Sequence, residues 1–428
     1  MARLSSWLTK ACSLPERAHE ALTHRPLNRI TVALFLAALL AGFGQFGAVA
    51  SLNDVARHFG HLSSHGSLQS VVGLSGSMIG VGLATLRLAS LAALPLASLA
   101  DRWGRTKVLR RTMTVGLLAT AAASTSPSYW FFVLCFALAR PLLSAASALV
   151  QVITVELSAT SQRIHRLAIM AAGAGLGAGL SAVLHGIIRG PDSFRWLFAV
   201  AFAPALFISP LLGSIPEPAH ERSPASFARL ASVPGEIRGH LAVVATVAFA
   251  VGMITGPANG FAFVYGEGIL QISPRVVASV VALSALTGLG GLLISRSLAK
   301  TLGRRWTVVI GVLGSGLTSA YAYSGGRFSF VAGYLVGVGA AGVLAPAATA
   351  ISTEIFSHSH RATAAGWVVV AGVLGATAGL GLFGWVGDAV HSSGVSVLRI
   401  PALVTFLPLM PTLLLLRRLP ESSEMVLV

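Results

Sequence analysis

Leu99-Ala100-Asp101-Arg102-Trp103-Gly104-Arg105 closes one long apolar run, and Leu298-Ala299-Lys300-Thr301-Leu302-Gly303-Arg304 closes another 199 positions later. A second pair follows at nearly the same offset. Glu156 and Arg163 recur as Glu354 and Arg361, with the same seven-residue spacing. Self-similarity at one fixed period marks a chain written twice from one unit.

The unit is apolar. Of the 428 residues, 54% are hydrophobic and 10% charged, and the charges are segregated. Ile30–Leu52 and Val71–Ala100 each run for twenty or more residues with almost no charge. Such a run crosses a hydrocarbon core of about 30 Å at roughly 1.5 Å per residue. The pattern predicts an all-α membrane protein with twelve transmembrane helices. They fall near 30–52, 70–99, 108–125, 129–153, 165–188, 195–213, 241–265, 274–298, 307–323, 328–353, 363–386 and 397–416. Gly, Ala and Ser within the runs allow close helix contact in lipid. The roughly ten-residue alternation of a membrane barrel is absent.

Residues 214–240 interrupt the pattern with Pro216, Glu217, Pro218, Glu221, Arg222, Pro224, Arg229, Pro234, Glu236 and Arg238. Proline and charge deny this stretch a spanning helix. The chain therefore divides into a tail (1–29), a six-helix bundle (30–213), a linker (214–240), a second six-helix bundle (241–416) and a short tail (417–428). With both termini placed inside, the cytoplasmic segments carry 22 Lys and Arg and the outer loops six, so both ends are expected in the cytoplasm.

The net charge of +16 does not point to nucleic acid, because it sits in short loops at membrane ends. There it fits anionic lipid headgroups. Cys12 and Cys135 imply no disulfide framework. The first 29 residues lack the order of a signal peptide, and no cleavage is expected. Lysine occurs only at 10, 107 and 300, and this Arg-, Ala- and Gly-rich usage points to a GC-rich bacterial genome; the expected location is the bacterial inner membrane.

Ala97-Ser98-Leu99-Ala100-Asp101-Arg102-Trp103-Gly104-Arg105-Thr106-Lys107 resembles the loop between helices 2 and 3 of the major facilitator superfamily. Gly104 permits the tight turn. Asp101 can accept from backbone N–H groups or a guanidinium, while Arg102, Arg105 and Lys107 hold the turn at the inner leaflet. The resemblance implies a latch between the two bundles, carried by Asp101 and Arg105. In the second copy Lys300 replaces the acid and only Gly303, Arg304 and the turn remain, so the first copy is expected to do most of the latching. Glu156 with Arg163 and Glu354 with Arg361 resemble the family's acidic-then-basic ends of helices 4 and 10. An acid at a helix C-terminus opposes the helix dipole and calls for a basic partner, on its own loop or on the motif loop.

Two charges fall inside spans. Arg87 lies 14 residues before Asp101 and Arg140 lies 16 before Glu156. Those spacings place them roughly 21 and 24 Å from the basic boundary. An Arg at such depth costs about 3 kcal/mol or more unless it meets protein, water or a partner. The 14 acids all lie in loops, tails or helix ends, so the cavity is expected to be electropositive and open to neutralisation by an anion. Arg140-Pro141-Leu142-Leu143-Ser144 also partly resembles the superfamily's helix 4 motif, whose Arg is implicated in proton transfer.

Gln45 and Asn259 stand mid-span in helices 1 and 7 and offer amides either to a substrate or to a neighbouring helix. Trp367 and Trp385 are read as interfacial anchors, and His185 as an interfacial histidine. Gly173, Gly175, Gly177 and Gly179 of helix 5 are expected to pack on helix 11 at Gly372, Gly375 and Gly379.

The resulting expectation is a monomeric secondary active transporter of a small organic solute, exporting it in exchange for protons, with no cofactor or metal. Two alternatives stay open: uptake or exchange of an organic anion held by Arg87 and Arg140, and a membrane receptor that binds without transport. No convergent catalytic groups and no Gly-x-x-x-x-Gly-Lys-Ser/Thr loop are present, which argues against an enzyme or an ATP-driven pump.

Overall fold

The computed structural model describes residues 29–62, 68–188, 190, 192–217, 235–354, 356, 361–390, 396–406, 412, 414 and 415. Both tails and most of the linker expected at 214–240 lie outside them.

Two glycines set matching turns in the two halves of the chain. Gly104 at φ +97° and Gly303 at φ +84° occupy the left-handed region, which disfavours other side chains, and each separates two helices. Before Gly104 run α1 (Arg29–Ala50) and α2 (Gly76–Trp103), the latter with a 3-10 turn at Ser90–Ala92. After it come α3 (Arg105–Ala122), α4 (Tyr129–Glu156), α5 (Arg163–Ile187) and α6 (Ser193–Gly213). The second set is α7 (Gly235–Gly260), α8 (Pro274–Thr301), α9 (Arg304–Ala322), α10 (Arg327–Glu354), α11 (Arg361–Ala389) and α12 (Arg399–Phe406).

Side-chain caps start several of these helices. Ser75 Oγ accepts from Met78 N at 3.2 Å and Ser128 Oγ from Phe131 N at 3.3 Å, while Pro274 begins α8, where its missing N–H costs nothing. Nine described helices are long and apolar enough to cross a membrane. The other three have plain reasons: α3 opens with Arg105, Lys107, Arg110 and Arg111, α9 opens with Arg304 and Arg305, and α12 is described only in part. The fold is all-helical, twelve spans in two related bundles.

The two sets pack alike. α1 lies along α5 as α7 lies along α11, and α3 pairs with α4 as α9 pairs with α10. Between the sets, α2 meets α11 and α5 meets α8, two contacts that exchange under the pseudo-two-fold. Away from these seams the helices expose Phe207, Leu286, Leu293, Leu317 and Phe328, apolar side chains that lipid covers without cost.

The glycine seam differs from expectation. The main partners of α5 are α1 and α8, and those of α11 are α7 and α2. Gly177 lies against the Leu39 backbone, and Gly375 and Gly379 against the backbones of Phe249 and Met253, so a Cβ at any of them would collide with a carbonyl. Gly175 and Gly179 face open space. Spacing identified close approach but not the partner, because a glycine stripe fits any helix offering a smooth backbone.

Candidate functional site

We call the side carrying the Gly104 and Gly303 turns the basic face and the opposite side the far face. A cavity of about 450 Å³ is walled by helices of the second bundle, with Arg87 of α2 reaching it from the first. Its walls come from the basic-face halves of α7 (Val244, Val251), α10 (Leu344, Ala348) and α11 (Val368, Gly372), with Val308 near the start of α9. The cavity thus runs toward the basic face. Thr255 and Asn259 add polar groups deep in α7, and Arg87 of α2 contributes the lining's single charge.

Among the described residues the Arg87 guanidinium has no hydrogen-bond or ion-pair partner and no acid shares its depth. Arg140 is held differently. Its Nη1 donates to the Gln45 carbonyl at 3.0 Å, and its buried Nε has no partner among the described residues. The Gln45 side chain donates to Ser147 Oγ at 3.0 Å and accepts from Ser144 Oγ at 3.2 Å, tying α1 to α4. Gln45 therefore takes the helix-to-helix role. Asn259 does both: Nδ2 donates to the Thr255 carbonyl at 2.9 Å, Oδ1 accepts from Tyr334 Oη at 3.3 Å, and the residue lines the cavity.

On the basic face Arg105 reaches Asp101 at 3.3 Å and also pairs with Glu156. The acid at the end of α4 thus finds its cation on the motif loop. Arg163 donates instead to the Ser158 carbonyl at 3.4 Å. Glu217, past the end of α6, accepts from the backbone N–H groups of Arg105 and Thr106 and so caps α3. Arg102 and Lys107 are exposed. Glu354 and Arg361 stand at helix ends, but their side chains lie outside the described set.

The far face is shut. Asp388 of α11 accepts from Gly76 N at 2.7 Å, Ser77 N at 2.8 Å and Ser77 Oγ at 2.6 Å, capping α2 across the two bundles. Beyond α7 a π-turn at Val264–Ile269 carries Glu267 inward. Glu267 Oε1 lies 2.9 Å from His185 Nε2, Asn53 Nδ2 donates to its Oε2 at 3.3 Å, and His185 Nδ1 lies 3.3 Å from Asp54. Burial pushes the Glu267 carboxyl above the ordinary carboxylate range, against the pull of His185.

His185 is 2% exposed, which corrects its reading as an interfacial residue. The spacing put it near the outer end of α5, but only the packing of α5 on α8 and the π-turn encloses it. Trp385 is 63% exposed, as an anchor requires. Sequence reading passed over Asp388, Glu217 and the His185 cluster. One signal was available: Asp54, Asp192, Glu267 and Asp388 are the acids flanking far-face helix ends in a chain with only 14.

The family profile described as Major Facilitator Superfamily matches residues 34–301 and 241–425. No curated protein matches the chain. Among solved structures, a bacterial homologue of the human lysosomal transporter Spinster, in an inward-facing and occupied conformation, superposes with a TM-score of 0.71 at 14% identity, covering 91% of this chain and 95% of its own. The xylose transporter XylE from E. coli, in an inward open conformation, gives 0.68 at 17% identity with coverage of 92% and 96%. The nucleoside transporter NupG gives 0.70 at 12% identity with coverage of 91% and 99%. At these identities the likeness carries the fold alone. The duplicated profile match, the twelve spans and the paired packing of the two bundles agree, and the chain belongs to the Major Facilitator Superfamily of membrane transporters.

Proposed function

We propose that this chain moves a small organic anion across the bacterial inner membrane by alternating access. The observation that carries this reading is Arg87: a guanidinium with no partner among the described residues, on the wall of a cavity whose other described walls, Thr255 and Asn259 apart, are aliphatic side chains and glycines. A half-buried cation at this depth without a counter-ion is costly, and an anionic substrate with an apolar body relieves that cost while filling the remaining walls. About 450 Å³ suits a metabolite-sized solute. Arg87 binds the charge, Asn259 supplies a directional hydrogen bond, and Arg140, fixed through Gln45, adds positive potential behind Arg87.

The bundles of 30–213 and 241–416 rock about this site, joined by the linker at 214–240. The basic face is cytoplasmic by its Lys and Arg excess, with both tails on that side. Asp101, Arg105 and Glu156, and in the second copy Gly303, Arg304, Glu354 and Arg361, act as the gate on that face when it closes. Arg102, Gly104, Lys107 and Arg163 shape and anchor the same turns. The chain acts as a monomer.

Proton-linked export of a small organic solute ranks second, because a carboxylate facing the substrate would serve it and none among the described residues lines the cavity. Proteoliposome flux with the pH gradient imposed in either direction separates the readings. Anionic solutes should counterflow, and Arg87→Gln should cut their flux at least tenfold while sparing cationic analogues. Arg140→Gln should lower it less. Unchanged selectivity in both variants removes the anion reading. Ligand binding in detergent without counterflow would establish a receptor instead.

A further inference from the structure

Asp54, His185 and Glu267 stand away from the cavity and take no part in the substrate reading. Their placement is unusual in a chain with so few acids. Asp54 lies on the short helix Leu52–Phe59 after α1 and His185 on α5, both in the first bundle. Glu267 lies on the π-turn after α7, in the second. The cluster therefore spans the seam that must open if the far face is ever to admit solute.

Its hydrogen bonding counts protons. Each imidazole nitrogen faces a carboxylate oxygen, Nδ1 toward Asp54 at 3.3 Å and Nε2 toward Glu267 at 2.9 Å. A neutral imidazole has one N–H and one lone pair, so it would set a lone pair against an oxygen lone pair on one side. Both contacts are satisfied only when one further proton lies between the ring and a carboxylate. Neighbouring groups support the arrangement. Ser193 Oγ donates to Asp54, Asn53 Nδ2 donates to Glu267, and the Phe263 ring stands edge-on to His185 at 5.5 Å. His185 is 2% and Glu267 4% exposed, so water does not compensate for a missing proton.

The other charges nearby are already engaged or point away. His58 pairs with Asp192 at 3.4 Å, Arg195 also pairs with Asp192 at 3.1 Å, and Arg275 at the start of α8 is exposed although its backbone lies against Gly186. Tyr265 on the π-turn is buried among aromatic rings and stays neutral.

We propose that Asp54, His185 and Glu267 form a proton-binding site that locks the far face: the site takes up one proton as the bundles close and gives it back as they part. The inference rests on the alternating-access reading and adds a regulator to it. On opening, the N–H bond to the extra proton breaks and the proton passes to water on the far side; a neutral His185, hydrogen-bonded to the Asp54 carboxylate, stays with the first bundle while a solvated Glu267 carboxylate leaves with the second. The closed state thus holds more protons than the open state above the ordinary imidazole range of about 6.5. By linkage, each unit rise in pH above that range favours opening by up to tenfold, until the closed state also loses its proton. Acidity on the far side holds the gate shut.

Double electron–electron resonance on the full chain in nanodiscs tests this. The labels are Arg57→Cys with Phe328→Cys on the far face and, separately, Arg111→Cys with Leu302→Cys on the basic face, in a Cys12→Ser, Cys135→Ser background. Between pH 6 and 8.5 the far-open fraction should rise several-fold to tenfold per unit in the unmodified cluster. It should respond less than twofold in Glu267→Gln, which keeps size and hydrogen-bonding capacity, and in His185→Gln. A flat profile in the unmodified cluster, or an equal slope in both variants, overturns the proton site. Parallel samples carry EDTA or zinc chloride. A slope lost with EDTA and regained with zinc overturns it in favour of a metal-held gate. Asp388→Ala, which opens the same face by another route, separates the two failures. If it populates far-open distances while the intact cluster ignores pH, the proton site fails and alternating access stands. If no condition lengthens the far-face distance, both fall together.

Discussion

Two helix N-termini in this protein are capped by carboxylates from elsewhere in the chain, with opposite consequences. Asp388 caps α2 at the far face, and Glu217 caps α3 at the basic face. Each satisfies two backbone N–H groups that a helix start leaves open, and each sets negative charge against the positive end of a dipole. Asp388, however, belongs to the other bundle, whereas Glu217 follows directly from α6 of the same bundle. Parting the bundles at the far face strips Asp388 of three hydrogen bonds; parting them at the basic face costs Glu217 nothing. The pairing of Arg105 with Glu156 is likewise internal to the first bundle. The same local chemistry therefore ties the two bundles together at one face and, in this conformation, acts within a single bundle at the other.

The largest effect that could break this contrast comes from Asp388→Ala. Hydrogen bonds to a charged group contribute about 1.5–3 kcal/mol, so removing them should destabilise far-face closure by about 2 kcal/mol, roughly 30-fold in the closed-to-open ratio. The far-face label distance should lengthen and transport should slow. An unchanged distance would mean that the cross-bundle cap does not hold the gate. Glu217→Ala should lower thermal stability in detergent by about 1 kcal/mol, the usual loss for a missing cap, and leave the far-face distance alone. A shift in that distance would show that the two caps are coupled after all. The smallest effect belongs to Arg163→Ala. Among the described residues this exposed side chain meets the Ser158 carbonyl alone, and its loss should change stability in detergent by no more than about 0.5 kcal/mol. A greater loss of stability would give the loop after α4 a role that its geometry does not suggest.

The candidate site was partly legible before any coordinates. Arg87 and Arg140 stood out because charge inside an apolar run is rare, and depth along a helix follows directly from a fixed rise per residue. Their separation of duties did not. Both sit at similar depth, yet the first faces the cavity while the second is turned onto the Gln45 carbonyl of a neighbouring helix. Which way a side chain faces depends on helix rotation. A span that is apolar all round has no polar side to turn toward water, so packing against its neighbours sets that rotation. Gln45 and Asn259 parted in the same manner, one into a helix-to-helix network and the other onto the cavity wall.

Amino-acid order by itself determined the membrane spans, the duplication and the positions of the Gly104 and Gly303 turns. Each of these rests on local physics: apolar length against bilayer thickness, and backbone conformations that glycine tolerates best. Tertiary structure alone decided which faces meet. It placed Asp388 on α2, seated α5 against α1 and α8, and enclosed His185 between two acids about 130 and 80 residues away in sequence. Contacts of that kind depend on how two bundles are disposed around a shared cleft, and no short-range pattern in the chain records that disposition.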